Sequence, residues 1–176
     1  MANVVMTTQV AGYNVDAYNR TAVCAQDIDN GCVFKLNKYS ETPGESAVWE
    51  CEQAAANDTG LWMAFSPEIV TIVDSMGVEY RGMSIDPRAF TNVAGRMIDA
   101  IHLQEGDIIE MTGDGIENVA DMDYLVPAAA NFQLEASATA GQGFTLHKIK
   151  TGILHIGGAM IAKSHPTTYF YEVVNN

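Results

Sequence analysis

The sequence predicts a mainly β domain, a small barrel or sandwich with an extended N-terminal arm and little helix. Short runs of β-branched and aromatic residues recur from Gly31 onward, and residues of this type favour a pleated, half-buried surface. Turn-forming clusters rich in Gly, Pro, Asn and Asp bound the runs. Helix is credible only in two short pieces, around Gly115 to Met122 and Val93 to Ala100. Many short strands with frequent turns indicate a barrel or sandwich.

Taken in order, residues 1–20 are polar, rich in Asn and Thr and poor in large aliphatics, so they read as an arm carrying Tyr13 and Tyr18. Such a segment has little apolar surface to offset the entropy of ordering it. The alternative is an edge strand formed by Val4, Val5 and Val10. Residues 21–176 read as a single β-rich domain, in keeping with the usual domain length of roughly 100 to 200 residues. Its first strands are expected at Cys32–Leu36, Ala47–Cys51 and Leu61–Phe65, separated by Thr42-Pro43-Gly44 and by Asn57-Asp58-Thr59-Gly60. Within Leu61–Phe65, Trp62 has apolar neighbours on both sides and is expected to be buried in a central strand.

Further along, Glu68–Val73 and Val78–Arg81 flank Asp74-Ser75-Met76-Gly77, a four-residue hairpin connection. The Gly106-Asp107 turn feeds the run Ile108–Thr112. The C-terminal third continues with Phe132–Ala136, Phe144–Lys150, Ile153–Ile156, Ala159–Ala162 and Thr167–Val174, and the Ala140–Phe144 glycines read as a hairpin turn.

Composition narrows the function. The 176 residues are 48% hydrophobic and 18% charged, too apolar for a disordered chain. No stretch approaches the roughly 18 uninterrupted apolar residues of a membrane-spanning helix. The first residues have neither a basic start nor a long apolar run, so no secretory signal is expected, and synthesis in a cytoplasm is. Nine Lys and Arg against 22 Asp and Glu give a formal charge of −13. From Arg96 to Lys148 no Lys or Arg intervenes, while Asp99, Glu105, Asp107, Glu110, Asp114, Glu117, Asp121, Asp123 and Glu135 fall in that span. Such a surface repels phosphate backbones, so neither nucleic acid nor membrane is an expected partner.

Motifs of chemistry are sparse. Cys24, Cys32 and Cys51 contain no CxxC pair and read as partly buried free thiols. His102, His147, His155 and His165 match no local ligand spacing, and a metal-dependent enzyme on a cupin-like barrel would need His102, His147, His155 and an acid to converge. An EF-hand loop counted from Asp114 places Ile116, Asn118 and Ala120 at ligand positions and Leu125 at the twelfth, so the pattern fails and the loop reads as a solvated acidic turn. No nucleophile elbow or phosphate loop occurs. No catalytic residue, cofactor or metal ligand is therefore assigned. One segment, Asp86 to Arg96, sets Arg88, Phe90 and Arg96 in a turn-rich stretch of an acidic chain. Arg and aromatic residues are enriched where interfaces carry binding energy, so Tyr13, Tyr18, Arg88, Phe90 and Arg96 form the candidate interface set.

Leu61-Trp62-Met63-Ala64-Phe65-Ser66-Pro67-Glu68, the Asp86–Arg96 segment, Glu105-Gly106-Asp107-Ile108-Ile109 and Thr168–Val174 resemble segments of the decoration, or auxiliary capsid, proteins of tailed bacteriophages. The resemblance is one of overall style over about residues 30 to 175. It implies a non-enzymatic β domain that binds the outer face of the capsid and cements neighbouring capsomers. The implied partners are the major capsid protein and further copies of the chain itself, in the virion. Other readings are a different phage head or tail component, or the cupin-like enzyme or ligand binder.

Overall fold

β-Branched and aromatic runs do become strands, thirteen among the described residues of the computed structural model: β1 Val5–Gln9, β2 Asn19–Val23, β3 Val33–Tyr39, β4 Val48–Gln53, β5 Trp62–Ala64, β6 Ile69–Val73, β7 Glu79–Met83, β8 Met97–Ile101, β9 Ile108–Met111, β10 Tyr124–Pro127, β11 Leu134–Ser137, β12 Thr145–Ile153 and β13 Thr167–Asn175. The structure describes residues 2–42, 44, 47–73, 76–77, 79–83, 86–157 and 164–176, with 70–73 and 79–83 by backbone alone. The expected run Ala159–Ala162 lies outside the described residues, as do parts of the Thr42–Gly44 turn, the Asp74–Gly77 connection and Val78. Strands β6 and β7 pair antiparallel, Ile69 opposite Met83 and Val73 opposite Glu79.

The remaining strands form two bodies. β2, β4, β3, β5 and β8 close into a barrel, while β1, β9, β13, β12, β10 and β11 form a six-stranded sheet in that order. Alternation along the strands explains how one set of residues serves two cores. In β3, Phe34 joins Ala22, Cys24, Ala64, Ile98 and Ala100 in the barrel cluster, whereas Val33 joins Met63, Ile101, Leu103, Ile109, Met111, Leu146 and Tyr171 in the cluster between barrel and sheet. Consecutive residues of β3, β5 and β8 are thus buried on both faces, which is why the Leu61–Phe65 run is continuously apolar.

Two elements correct the sequence reading of helix. Val93 to Ala100 enters β8, and Gly115 to Met122 is a series of turns; among the described residues the only helical pieces are 3-10 turns at Asp16–Tyr18 and Pro87–Ala89. Met97 and Ala100 are good helix formers, but Ile98 and Ala100 point inward while Met97 and Asp99 stay exposed, and the burial of that alternate face decides for the strand.

The N-terminal segment is also corrected. Rather than standing off as an arm over residues 1–20, it begins as an edge strand: β1 pairs with β9, Val5 opposite Met111 and Thr7 opposite Ile109. Ala2, Val4 and Val5 are each 5% exposed. Val4 N–H donates to Thr112 Oγ1 at 3.1 Å, and Ala2 N–H to the Arg88 carbonyl at 3.0 Å. The Gly106-Asp107 turn holds the following residues: buried Asp107 accepts from Ala11 N–H at 2.8 Å and Gln104 N–H at 2.7 Å. Gly106 has φ +85°, a left-handed conformation that glycine adopts without penalty.

The Ala140–Phe144 glycines carry a crossover rather than a hairpin turn, because β10 lies between β11 and β12 in the sheet. Gly143 sits against the backbone of Asn57 and Asp58, where a Cβ would come within 2.4 Å of the Asp58 carbonyl oxygen. That approach lets Phe144 N–H donate to the same carbonyl at 2.8 Å, joining a barrel loop to the sheet.

The acidic loop before β10 has a physical anchor the spacing did not reveal. Lys148 Nζ donates to the carbonyls of Ala120 at 2.8 Å, Met122 at 2.5 Å and Val119 at 3.4 Å. An ammonium therefore occupies the carbonyl cage that the loop offers. Lys148→Met keeps the stem but removes three charge-assisted bonds, so it is expected to cost roughly 1.5–3 kcal/mol. Thermal unfolding and amide exchange over residues 118–123 check this; unaltered exchange in the variant would show that the loop holds itself.

Candidate binding cleft at the barrel mouth

At one end of the barrel, β2 and β8 meet the N-terminal turn that follows β1. Asn19 at the start of β2 fixes that turn, its Nδ2 donating to the carbonyls of Gly12 at 2.9 Å, Tyr13 at 3.2 Å and Val15 at 2.9 Å. Gly12 is required there, because a Cβ would lie 2.6 Å from Tyr18 Cβ. Held this way, Tyr13 stands 49% exposed with its ring edge-on to Phe65, the centroids 6.3 Å apart. The two rings line an open cleft of about 500 Å³ together with Asn14, Asn19, Arg20, Ser66, Pro67, Glu68 and Asp99, with Val5, Ala100 and Ile101 also contributing.

A stack of side chains continues from the cleft into the barrel mouth. The Arg20 guanidinium lies 5.7 Å from the Trp62 ring centre and donates to the carbonyls of Asn19, at 2.9 Å, and Asp16. Trp62 meets His102 edge-on at 5.1 Å, and Tyr18 covers His102 at 6.1 Å. Gln104 Nε2 approaches His102 Nδ1 at 2.6 Å, and with the amide as donor the imidazole proton is placed on Nε2. Burial holds His102 below the ordinary histidine range, with the Asp107 carboxylate opposing it. Trp62 is thus a half-buried mouth residue and not the buried core residue its neighbours suggested; its ring closes the end of the barrel, where solvent reaches one side.

Of the five interface candidates, only Tyr13 and Tyr18 come together here. Phe90 is 8% exposed, turned into the domain. The Arg88 side chain is 12% exposed and engaged with Asp86, Nε to Oδ1 at 3.0 Å and Nη2 to Oδ2 at 2.8 Å, with Ser164 Oγ at 3.1 Å from Nη2. The Arg88 guanidinium in turn holds the Asp86 carboxyl below the usual range. Buried Asn92 ties this segment down, donating to Asn30 Oδ1 at 3.1 Å, while its backbone pairs with Ile28. Neither Phe90 nor Arg88 offers a free side chain to a partner. Arg96 is exposed on the separate 93–96 loop, between exposed Val93 and exposed Met97 at the start of β8.

Compared with known protein families, with curated proteins and with solved structures, the chain matches none.

The histidines do not converge as a cupin-like site requires. His102 lies at the barrel mouth, His147 stacks on Tyr124 at 5.0 Å in the sheet, and His155 and His165 approach each other at 2.8 Å between Nδ1 atoms beyond the end of β12. Among the described residues, no three His, Cys, Asp or Glu side chains are grouped to hold a metal ion. The cleft supplies aromatic area, amides, one guanidinium and two carboxylates. Its side-chain hydroxyls are those of Tyr13 and Ser66, and Ser66 Oγ is taken by Asp99 N–H at 3.0 Å. This arrangement suits the grip of a polypeptide surface better than activation of a nucleophile. Nothing local in the sequence marks Arg20, Phe65 or Asn19 for this cleft. Phe65 lies inside the Leu61–Glu68 segment, whereas Asn19 carries no local signal because its acceptors are backbone carbonyls.

Proposed function

We propose that the chain is a structural binding protein that decorates the outer surface of a tailed-phage capsid, docking through the cleft around Tyr13 and Phe65. The observation that carries this reading is the pre-organised aromatic anchor. Asn19 and Gly12 hold Tyr13 half exposed in an open cleft, so little conformational entropy remains to be lost on contact. Tyr is over-represented among the residues that dominate interface energetics. Ser66, Pro67 and Glu68, which line the cleft, belong to one of the segments that resemble decoration proteins. The charge of −13 favours a protein surface over the packaged nucleic acid. Association with further copies has a physical basis in the six-stranded sheet, which ends in β1 on one side and β11 on the other; a terminal strand leaves a row of backbone groups open to pairing.

Co-sedimentation with intact tailed-phage heads stripped of decoration protein tests the reading. The full chain is expected to pellet with the heads at saturable stoichiometry. Tyr13→Ala should weaken that binding about tenfold or more, the effect of losing an interface anchor, with its melting temperature unchanged. A full chain that stays in the supernatant at micromolar concentrations overturns the proposal, and equal binding by Tyr13→Ala moves the docking surface away from the cleft.

A further inference from the structure

Strands β2 and β4 run parallel, with Thr21 opposite Val48, Ala22 opposite Trp49 and Val23 opposite Glu50. One further step in that register sets Cys24 against Cys51. Alternation turns both inward with Ala22 and Trp49, and all four belong to the barrel cluster. Neighbouring strands lie about 4.8 Å apart, inside the Cα separation of roughly 4.4–6.8 Å that a disulfide spans. That register sets the two thiols side by side on the inner face of the barrel. The neighbouring Cys51 thiol, with the backbone N–H groups of Gln26 and Ala25, holds Cys24 below the ordinary thiol range, and the Cys24 sulfur together with burial holds Cys51 above it. Cys24 is 3% exposed and Cys51 is half-buried. Cys32, also in the barrel cluster, is pushed up to about 12, chiefly by burial, and is the unreactive member of the three.

We propose that Cys24 and Cys51 are a redox-active dithiol, which a small hydroperoxide converts to a disulfide bridging β2 and β4 inside the barrel. The Cys24 thiolate attacks one peroxide oxygen; the O–O bond breaks, hydroxide leaves and takes a proton to become water, and Cys24 becomes the sulfenic acid. Cys51 then attacks the Cys24 sulfur; the S–S bond forms, the S–O bond breaks, and the Cys51 proton leaves with the hydroxyl as a second water. Hydrogen peroxide gains two electrons and the thiol pair loses two. The oxidant has to be small because Cys24 is enclosed, which disfavours direct attack on a bulky disulfide. A dithiol reductant reverses the step through the more accessible Cys51.

The test treats the folded full chain with hydrogen peroxide, removes the oxidant, blocks remaining thiols by alkylation in urea and maps the peptides by mass. The expected product is a Cys24–Cys51 linked peptide with Cys32 alkylated. It should be reversed by dithiothreitol and accompanied by a melting temperature higher by roughly 5–10 °C, from the added cross-link. Cys51→Ser should leave a Cys24 sulfenic acid that dimedone captures when it is present as the oxidised chain is unfolded in urea, and Cys32→Ser should form the link as the native chain does. The proposal fails if Cys24 and Cys51 are both recovered as alkylated thiols after the folded chain meets peroxide that oxidises the same chain in urea. It fails equally if the link that forms uses Cys32.

Discussion

Removing residues 1–9 is expected to destabilise the domain by roughly 3–6 kcal/mol or to prevent its folding, because the segment buries Val4 and Val5 almost completely and each buried valine contributes about 1.5–3 kcal/mol. The loss does not end with side chains. β9 lies between β1 and β13, so deletion turns a central strand into an edge. Thr112 Oγ1 loses the Val4 N–H it accepts from, and the Arg88 carbonyl loses Ala2 N–H. Buried polar groups left without partners cost about 1–3 kcal/mol each where water cannot replace the bond. Urea unfolding of the truncated and full chains, followed by far-UV circular dichroism, measures the difference. A truncated chain with the same midpoint would mean that the segment is a free arm after all.

Phe34→Ala is expected to cost about 3–5 kcal/mol, the range for a large aromatic removed from a closed core, and Trp62→Ala roughly half as much. Phe34 is 0% exposed and fills the barrel among Ala22, Ala64 and Ala100, each 2% exposed or less. Three alanines around one ring mean that the space was made by backbone positions. Those positions are fixed by strand pairing and cannot collapse onto the hole. Trp62 is opposite Phe34 in the β3–β5 register, but it sits at the mouth with Arg20 over its ring, where water can fill what its removal leaves. Denaturant midpoints at equal slope rank the two directly. The reverse order would make the mouth stack, and not the barrel interior, the keystone of the fold.

Part of this was readable along the chain. Strands β3, β4, β5, β9, β11, β12 and β13 begin or end within a few residues of the runs that suggested them, since their β-branched and aromatic residues are inward-facing on at least one side. β1 corresponds to the edge-strand alternative at Val4, Val5 and Val10, β6 and β7 to the runs Glu68–Val73 and Val78–Arg81, and β2, β8 and β10 carry no strand run in the sequence. β8 reads locally as helix, for its Met and Ala favour helix, and the burial of Ile98 and Ala100 exists only once the barrel closes. The cleft was half legible: Tyr13 and Tyr18 stood out as aromatics in a polar stretch. Phe65 and Arg20 did not, because nothing near either marks it as lying beside Tyr13.

By itself the sequence determined a β domain, acidic, with little helix and with local turn chemistry at Gly106-Asp107, since strand alternation and turn preference act over a few residues. Tertiary structure decided the rest. Whether Val4 belonged to an arm or a strand depended on Thr112, which is 108 residues away. Whether Trp62 was core or mouth depended on where the barrel ends, and whether Phe90 faced a partner or the interior depended on Asn92 docking at Ile28 and Asn30. Strand pairing joins residues of large sequence separation, and no pattern within either strand names its partner.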